Sequence, residues 1–250
     1  MYIKRTVEAG SKIFIAKFSA PMLGNHKSRS RKIKETSAAH KKCNDFHAAE
    51  KCEAKILVNF RPGDLHISLT YENVDGLTEE QAKKDLRNFL DKIKRRCDKN
   101  NITLKYLKMT DKSCKGRLHH HLVLPQEIPN DMILECWKHG IVKTIAMLTD
   151  DVRGLAEYFV DKTKKGQKDD DRPEFVPRYS FSRNCTEPKT RYEIIGAGKW
   201  LDEPRAPKGF IIDKNSLVTG VSKRGFDYQR YTLIRINRTE MKSKCQRKNC

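Results

Sequence analysis

Long apolar runs are missing from this 250-residue chain: no stretch approaches the roughly 18 consecutive apolar residues that a membrane span needs. The first eighteen residues, MYIKRTVEAGSKIFIAKF, lack the 7–15-residue apolar core of a secretory signal, so export is not expected. Paired cysteines are missing too. Eight cysteines stand at 43, 52, 97, 114, 136, 185, 245 and 250, and none forms the CxxC spacing of a zinc knuckle or ribbon. Reduced thiols in a cytosol are the simplest account of them. A phosphate-binding loop is absent as well. Gly196-Ala-Gly198-Lys199 has the outline of one, but Glu193 and Trp200 stand where the Walker pattern requires glycine and Ser or Thr. An ATPase is excluded on those residues.

Positive charge is abundant. Fifty-two Lys and Arg against 32 Asp and Glu leave a net charge of +20. Residues 1–55 and residues 199–250 each carry +8, while the 143 residues between them carry only +4. Basic flanks around a near-neutral centre suggest that the flanks grip a polyanion, nucleic acid above all. Hydrophobic residues at 37% and charged residues at 34% still allow an ordinary core.

Three divisions follow: a basic arm over 1–55, with a helix near 36–55; a central domain over 56–177; and a β-rich basic extension over 178–250. Within the centre, DLHISLTY (64–71) alternates as a half-buried strand. Thr78-Glu-Glu-Gln81 is a capping box opening an amphipathic helix that buries Ala82, Leu86, Phe89, Leu90, Ile93 and Cys97. LKYLKMTD (104–111) and RLHHHLVL (117–124) make a hairpin, followed by a short helix, a strand over 141–148 and a helix over 151–165. The acidic run Asp169–Asp171 reads as a solvated linker. This order implies an α+β architecture: an antiparallel sheet of about five strands, with helices packed on one face.

The candidate chemistry sits in Gly116-Arg-Leu-His119-His120-His121-Leu-Val-Leu124. Strand alternation puts His119 and His121 side by side on one face and turns His120 to the other. Asp111 ends the preceding strand, and a hairpin brings it beside the pair. Asp111, His119 and His121 thus make a three-ligand set for an ion such as Mn²⁺, Mg²⁺, Zn²⁺ or Fe²⁺. On the helix over 151–165, Tyr158 and Lys162 share a face at i, i+4. Alone, that pair is an ordinary core-edge tyrosine with a snorkelling lysine.

Taken in order, these features resemble the HUH endonuclease superfamily, and within it the rolling-circle replication initiators of plasmids and phages. Ile67-Ser-Leu-Thr-Tyr71 resembles the family's first motif, and His119-His120-His121 its His–hydrophobe–His motif, with a histidine in the middle place. Tyr158 and Lys162 resemble its nucleophile motif, and Tyr179-Ser-Phe-Ser-Arg183-Asn184 a segment after the tyrosine.

The resemblance implies an RRM-like palm and Mn²⁺ or Mg²⁺ held by Asp111, His119 and His121. It implies Tyr158 as the nucleophile that forms a covalent 5′-phosphotyrosine, with Lys162 assisting at the phosphate and Arg183 contacting nucleic acid. The implied partners are single-stranded or hairpin origin DNA and a host helicase and polymerase, in a bacterial cytoplasm. A single-tyrosine transposase and a non-catalytic nucleic-acid-binding protein are the rival readings.

Overall fold

The computed structural model describes residues 1–19, 38–72, 75–112, 117–165, 179–196, 200–222 and 225–236, excepting the side chains of 38–41 and 161–165. Its elements are, in chain order, β1 (Tyr2–Ala9), β2 (Lys12–Ser19), α1 (Ala38–Asn59), β3 (Leu65–Thr70), α2 (Glu79–Lys99), β4 (Leu107–Lys112), β5 (Leu118–Leu124), α3 (Asn130–Cys136), β6 (Val142–Ala146), α4 (Arg153–Lys165), β7 (Tyr179–Phe181), β8 (Lys189–Ile195), β9 (Phe210–Val221) and β10 (Asp227–Arg235). The chain divides into two units, 36–187 and 1–35 with 188–250. Among the described residues no helix is long and apolar enough to cross a membrane, and the described cysteines are free.

The unit over 36–187 is the expected α+β layer structure, a five-stranded antiparallel sheet in the order β6-β3-β5-β4-β7. Thr78 caps α2 as its capping position requires, its side chain accepting from Gln81 N at 3.2 Å. The buried stripe of α2 packs with α3 on the face formed by Ile67, Leu69, Leu118, Leu122 and Leu124. A second pair of helices lies beyond the expected arrangement. α1 and α4 cover part of the opposite face, where Ala49, Cys52, Ile56, Val152, Ala156 and Phe159 pack with Leu107, Met109 and Val123. Small buried side chains on α1 (Ala49, Cys52, Ala54) let it lie close to α4. The buried Glu53 meets Arg153 across that contact at 3.4 Å.

Gly140 fixes the end of β3. A Cβ there would lie 2.5 Å from the Thr70 carbonyl oxygen and 2.6 Å from the Glu72 nitrogen, so only glycine allows the approach. The ladder continues past it, with Thr70 N donating to Ile141 O at 3.0 Å and Glu72 N to His139 O at 2.8 Å.

The second unit is another antiparallel sheet, in the order β8-β1-β2-β10-β9. This corrects the arm assigned to residues 1–55. Residues 2–19 are a hairpin in the middle of a sheet, turning at Gly10 with φ +55°, and α1 belongs to the other unit. The alternation in β1 and β2 is real but carries lysine and arginine among its apolar positions, which gives it the look of a basic tail. The boundary expected at 177 lies instead at 187, because β7 pairs with β4 and completes the first sheet.

Candidate metal centre

Strand register assembles the centre. Asp111 pairs with His119 across β4 and β5, Met109 pairs with His121, and Ser68 pairs with His121 across β3 and β5. Directly paired residues share a face, so Asp111, His119, His121 and Ser68 project together. One donor atom from each of Asp111, His119 and His121 lies within 4.8 Å of the others. Asp111 lies within β4, one residue from its end, and is 4% exposed.

Hydrogen bonding sets the two imidazoles for ligation. His119 Nδ1 lies 3.2 Å from the Arg117 carbonyl oxygen, which only accepts. The proton therefore sits on Nδ1, and Nε2 carries the lone pair. That lone pair faces Asp111 Oδ2 at 3.6 Å, an approach of two electron-pair donors that a cation relieves. His121 Nδ1 lies 2.9 Å from Ser68 Oγ, and its Nε2 lies 2.7 Å from Tyr158 Oη. Each histidine thus has Nδ1 held by an oxygen and Nε2 turned inward, an arrangement that orients imidazole ligands. Two imidazoles and a buried carboxylate this close fit a divalent ion, since small side-chain rotations bring them to the roughly 2.0–2.2 Å of N and O ligands.

Tyr158 reaches the cluster from α4. Its ring meets His121 edge-on at 5.1 Å between centroids, and His66 stacks on His121 at 5.5 Å. Burial pushes the His66 imidazole below its ordinary value, so it stays neutral. Lys162 follows Tyr158 by one helical turn on α4; its side chain lies outside the described residues. Arg183 is not brought to the centre. It is exposed and follows Ser182, whose N–H donates to Tyr106 O, at the end of β4 opposite Asp111.

Sequence reasoning missed Ser68 as the partner that sets the His121 tautomer. The signal was present in the alternation that puts His66, Ser68 and Thr70 on the histidine face.

His120 faces the other way, as the alternation requires, into the core under α2. It is fully buried, with Nε2 3.0 Å from Tyr71 Oη and Nδ1 2.9 Å from Thr110 Oγ1. Burial, reinforced by the neighbouring His119, lowers it to about 3. Tyr71 Oη also lies 3.5 Å from Asp85 Oδ2, and burial followed by that carboxylate raises its phenol. Two polar sets therefore sit back to back on β5, one built for ligation and one for core packing.

No curated protein and no solved structure matches the chain. Residues 64–167 match the family model described as Replication-associated protein ORF2, a rolling-circle replication-associated family, and that span contains Asp111, His119, His121, Tyr158 and Lys162.

Proposed function

We propose that this chain is a rolling-circle replication initiator, a metal-dependent endonuclease and strand-transfer enzyme that nicks single-stranded origin DNA through a covalent 5′-phosphotyrosine. The observation that carries the reading is the position of Tyr158 Oη, 2.7 Å from the Nε2 of a histidine in the Asp–His–His cluster. A nucleophile hydroxyl held beside three convergent ligands is the arrangement such a transfer needs. The similarity of residues 64–167 to a replication-associated family supports it.

Asp111, His119 and His121 would hold Mn²⁺ or Mg²⁺. When bound, the ion polarises the scissile phosphate and stabilises charge on the leaving oxygen. The chain's own groups do the rest. Ser68 and the Arg117 carbonyl fix the two imidazoles through Nδ1. α4 holds the Tyr158 ring against His121 and Phe159, so Oη needs little reorientation before attack. As the Oη–P bond forms, the bond from phosphorus to O3′ breaks; the phenol proton leaves to solvent and the departing oxygen takes one up. Lys162, one turn along α4, offers its ammonium to the phosphate. The adduct conserves the phosphodiester bond energy, so the reverse attack rejoins strands without ATP. Unwinding and synthesis then fall to a host helicase and polymerase.

The test is nicking of single-stranded oligonucleotides carrying candidate origin sequence, with Mn²⁺ and with a chelator. Nicking in Mn²⁺ that stops on chelation is the expected result. Cleavage that persists undiminished in chelator overturns the metal-dependent reading.

A further inference from the structure

The face of the sheet that carries the centre is covered unevenly. Over β4, α1 and α4 bury Leu107 and Met109 completely. Toward β6, Lys143 is exposed, Ile145 is 51% exposed, and Ile141, just before the strand, is 73% exposed. Register puts these side chains on the centre's own face. Ser68 pairs with both His121 and Lys143, and His66, stacked on His121, pairs with Ile145. Ile141 receives the Thr70 N–H beside the row that holds His119. At about 4.8 Å per strand, the Lys143 Cα lies roughly 10 Å from that of His121, so its four-carbon stem can bring the ammonium to a phosphate next to the reacting one.

We infer that this β6 margin is the track for unpaired nucleotides flanking the scissile phosphate, with Lys143 holding a neighbouring phosphate and Ile141 and Ile145 taking the faces of unstacked bases. The inference rests on the proposed nicking reaction and gives its substrate a path. Helices close the β4 side, so a strand reaching Tyr158 crosses the β6 side. A cation between two exposed aliphatic side chains suits a single strand, which offers bases and phosphates along one line; a duplex hides its base faces. Two exposed isoleucines beside a polar centre also form the kind of apolar patch that marks a binding surface.

The test uses the full-length chain with a labelled oligothymidylate and a duplex of equal length. Lys143→Glu is expected to weaken single-strand binding about tenfold and to lower the log–log salt slope by about 0.7, the share of one phosphate. The Mn²⁺ affinity of the centre and the melting temperature should stay unchanged. Ile141→Ser with Ile145→Ser is expected to weaken single-strand binding several-fold at an unchanged salt slope. Duplex binding should move in neither variant. Single-strand affinity unaltered in both, in folded protein, overturns the track. So does a wild-type dimer that the isoleucine changes dissociate, because the strip would then seat a second copy. If the phosphotyrosine forms and the Lys143 variant binds normally, the track alone fails. If no adduct forms and the variant binds weakly, the track stands and the nicking reaction fails.

Discussion

Two five-stranded antiparallel sheets make up this chain, and they differ in what their side chains do. In the unit over 36–187, the central strand β5 is buried along nearly its whole length, and its three consecutive histidines divide between a ligand set and a core network. In the other unit, the edge strand β8 is exposed at six of its seven positions, and charge is spread through the strands. There, Lys4 and Lys17 stand directly opposite one another across β1 and β2. Lys4 is paired with Glu193, and the Lys17 ammonium lies 5.6 Å from the centres of the Trp200 and Tyr231 rings. Strand number and pairing do not make a site. Helices that shield one part of a face, and polar groups that converge there, do.

The sharpest way to break this comparison is to remove a ligand. His119→Ala or His121→Ala should abolish Mn²⁺ binding by calorimetry and lower nicking at least about a thousandfold, the equivalent of roughly 4 kcal/mol. Oligonucleotide retention at low salt should change little, because the basic surfaces remain. Full nicking in either variant would remove the centre from the account.

The next largest effect falls on the back of the same strand. His120→Ala opens a cavity and strips the Tyr71 hydroxyl of its imidazole partner, so it should cost about 3 kcal/mol. A chain of this size would then melt about 6–12 °C lower. His120 touches no expected ligand site, so nicking in the protein that remains folded should persist. An unchanged melting temperature would contradict the buried network.

A pH titration probes the same contrast. His120 is held at about 3 in the folded chain, against an ordinary value of 6.5. Between those values the unfolded chain binds a proton that the folded chain refuses, so stability falls as pH falls, by up to about 1.4 kcal/mol per pH unit. Above the ordinary value the contribution is constant. His66, also lowered by burial, adds a slope of the same sign. Denaturant melts from about pH 7 down to about pH 4 should show the decline, and His120→Gln should flatten it.

The smallest effect belongs to the other sheet. Lys189→Glu with Arg191→Glu, both on the exposed β8, should reduce the salt slope of DNA binding by about 0.7 for each phosphate no longer neutralised, with nicking at saturating DNA unchanged. Deleting residues 1–55 is a poorer test, because it removes two strands of one unit and a helix of the other. An unaltered slope would show that β8 does not touch the backbone.

Much of the unit over 36–187 was legible because its signals are local. The alternation of residues 64–71 and 117–124, the cap at Thr78 and the i, i+4 spacing of Tyr158 and Lys162 each depend on a few neighbours. The hairpin at residues 2–19 was not legible, since Lys4, Arg5, Lys12 and Lys17 interrupt its apolar alternation and its partners are β8 and β10, nearly the whole chain away. α1 was legible as a helix, but its partner face was not, because it buries alanine and cysteine in place of large apolar residues. Arg183 stands out in the sequence by its place after the tyrosine. β7 carries it to the far end of β4, a consequence of pairing that no local pattern reveals. Ser68 looks like any polar strand residue until register sets it against His121.

The central claim is that Tyr158, held against the Asp111–His119–His121 cluster, is the nucleophile. Wild-type protein incubated with Mn²⁺ and a single-stranded origin oligonucleotide, then resolved under denaturing conditions and mapped by peptide mass, tests it most directly. The account predicts a denaturant-resistant adduct on the α4 peptide at Tyr158, absent in Tyr158→Phe, whose melting temperature and DNA affinity stay near those of the wild type. An adduct that survives in Tyr158→Phe, or nicking that proceeds with no adduct at all, would contradict it.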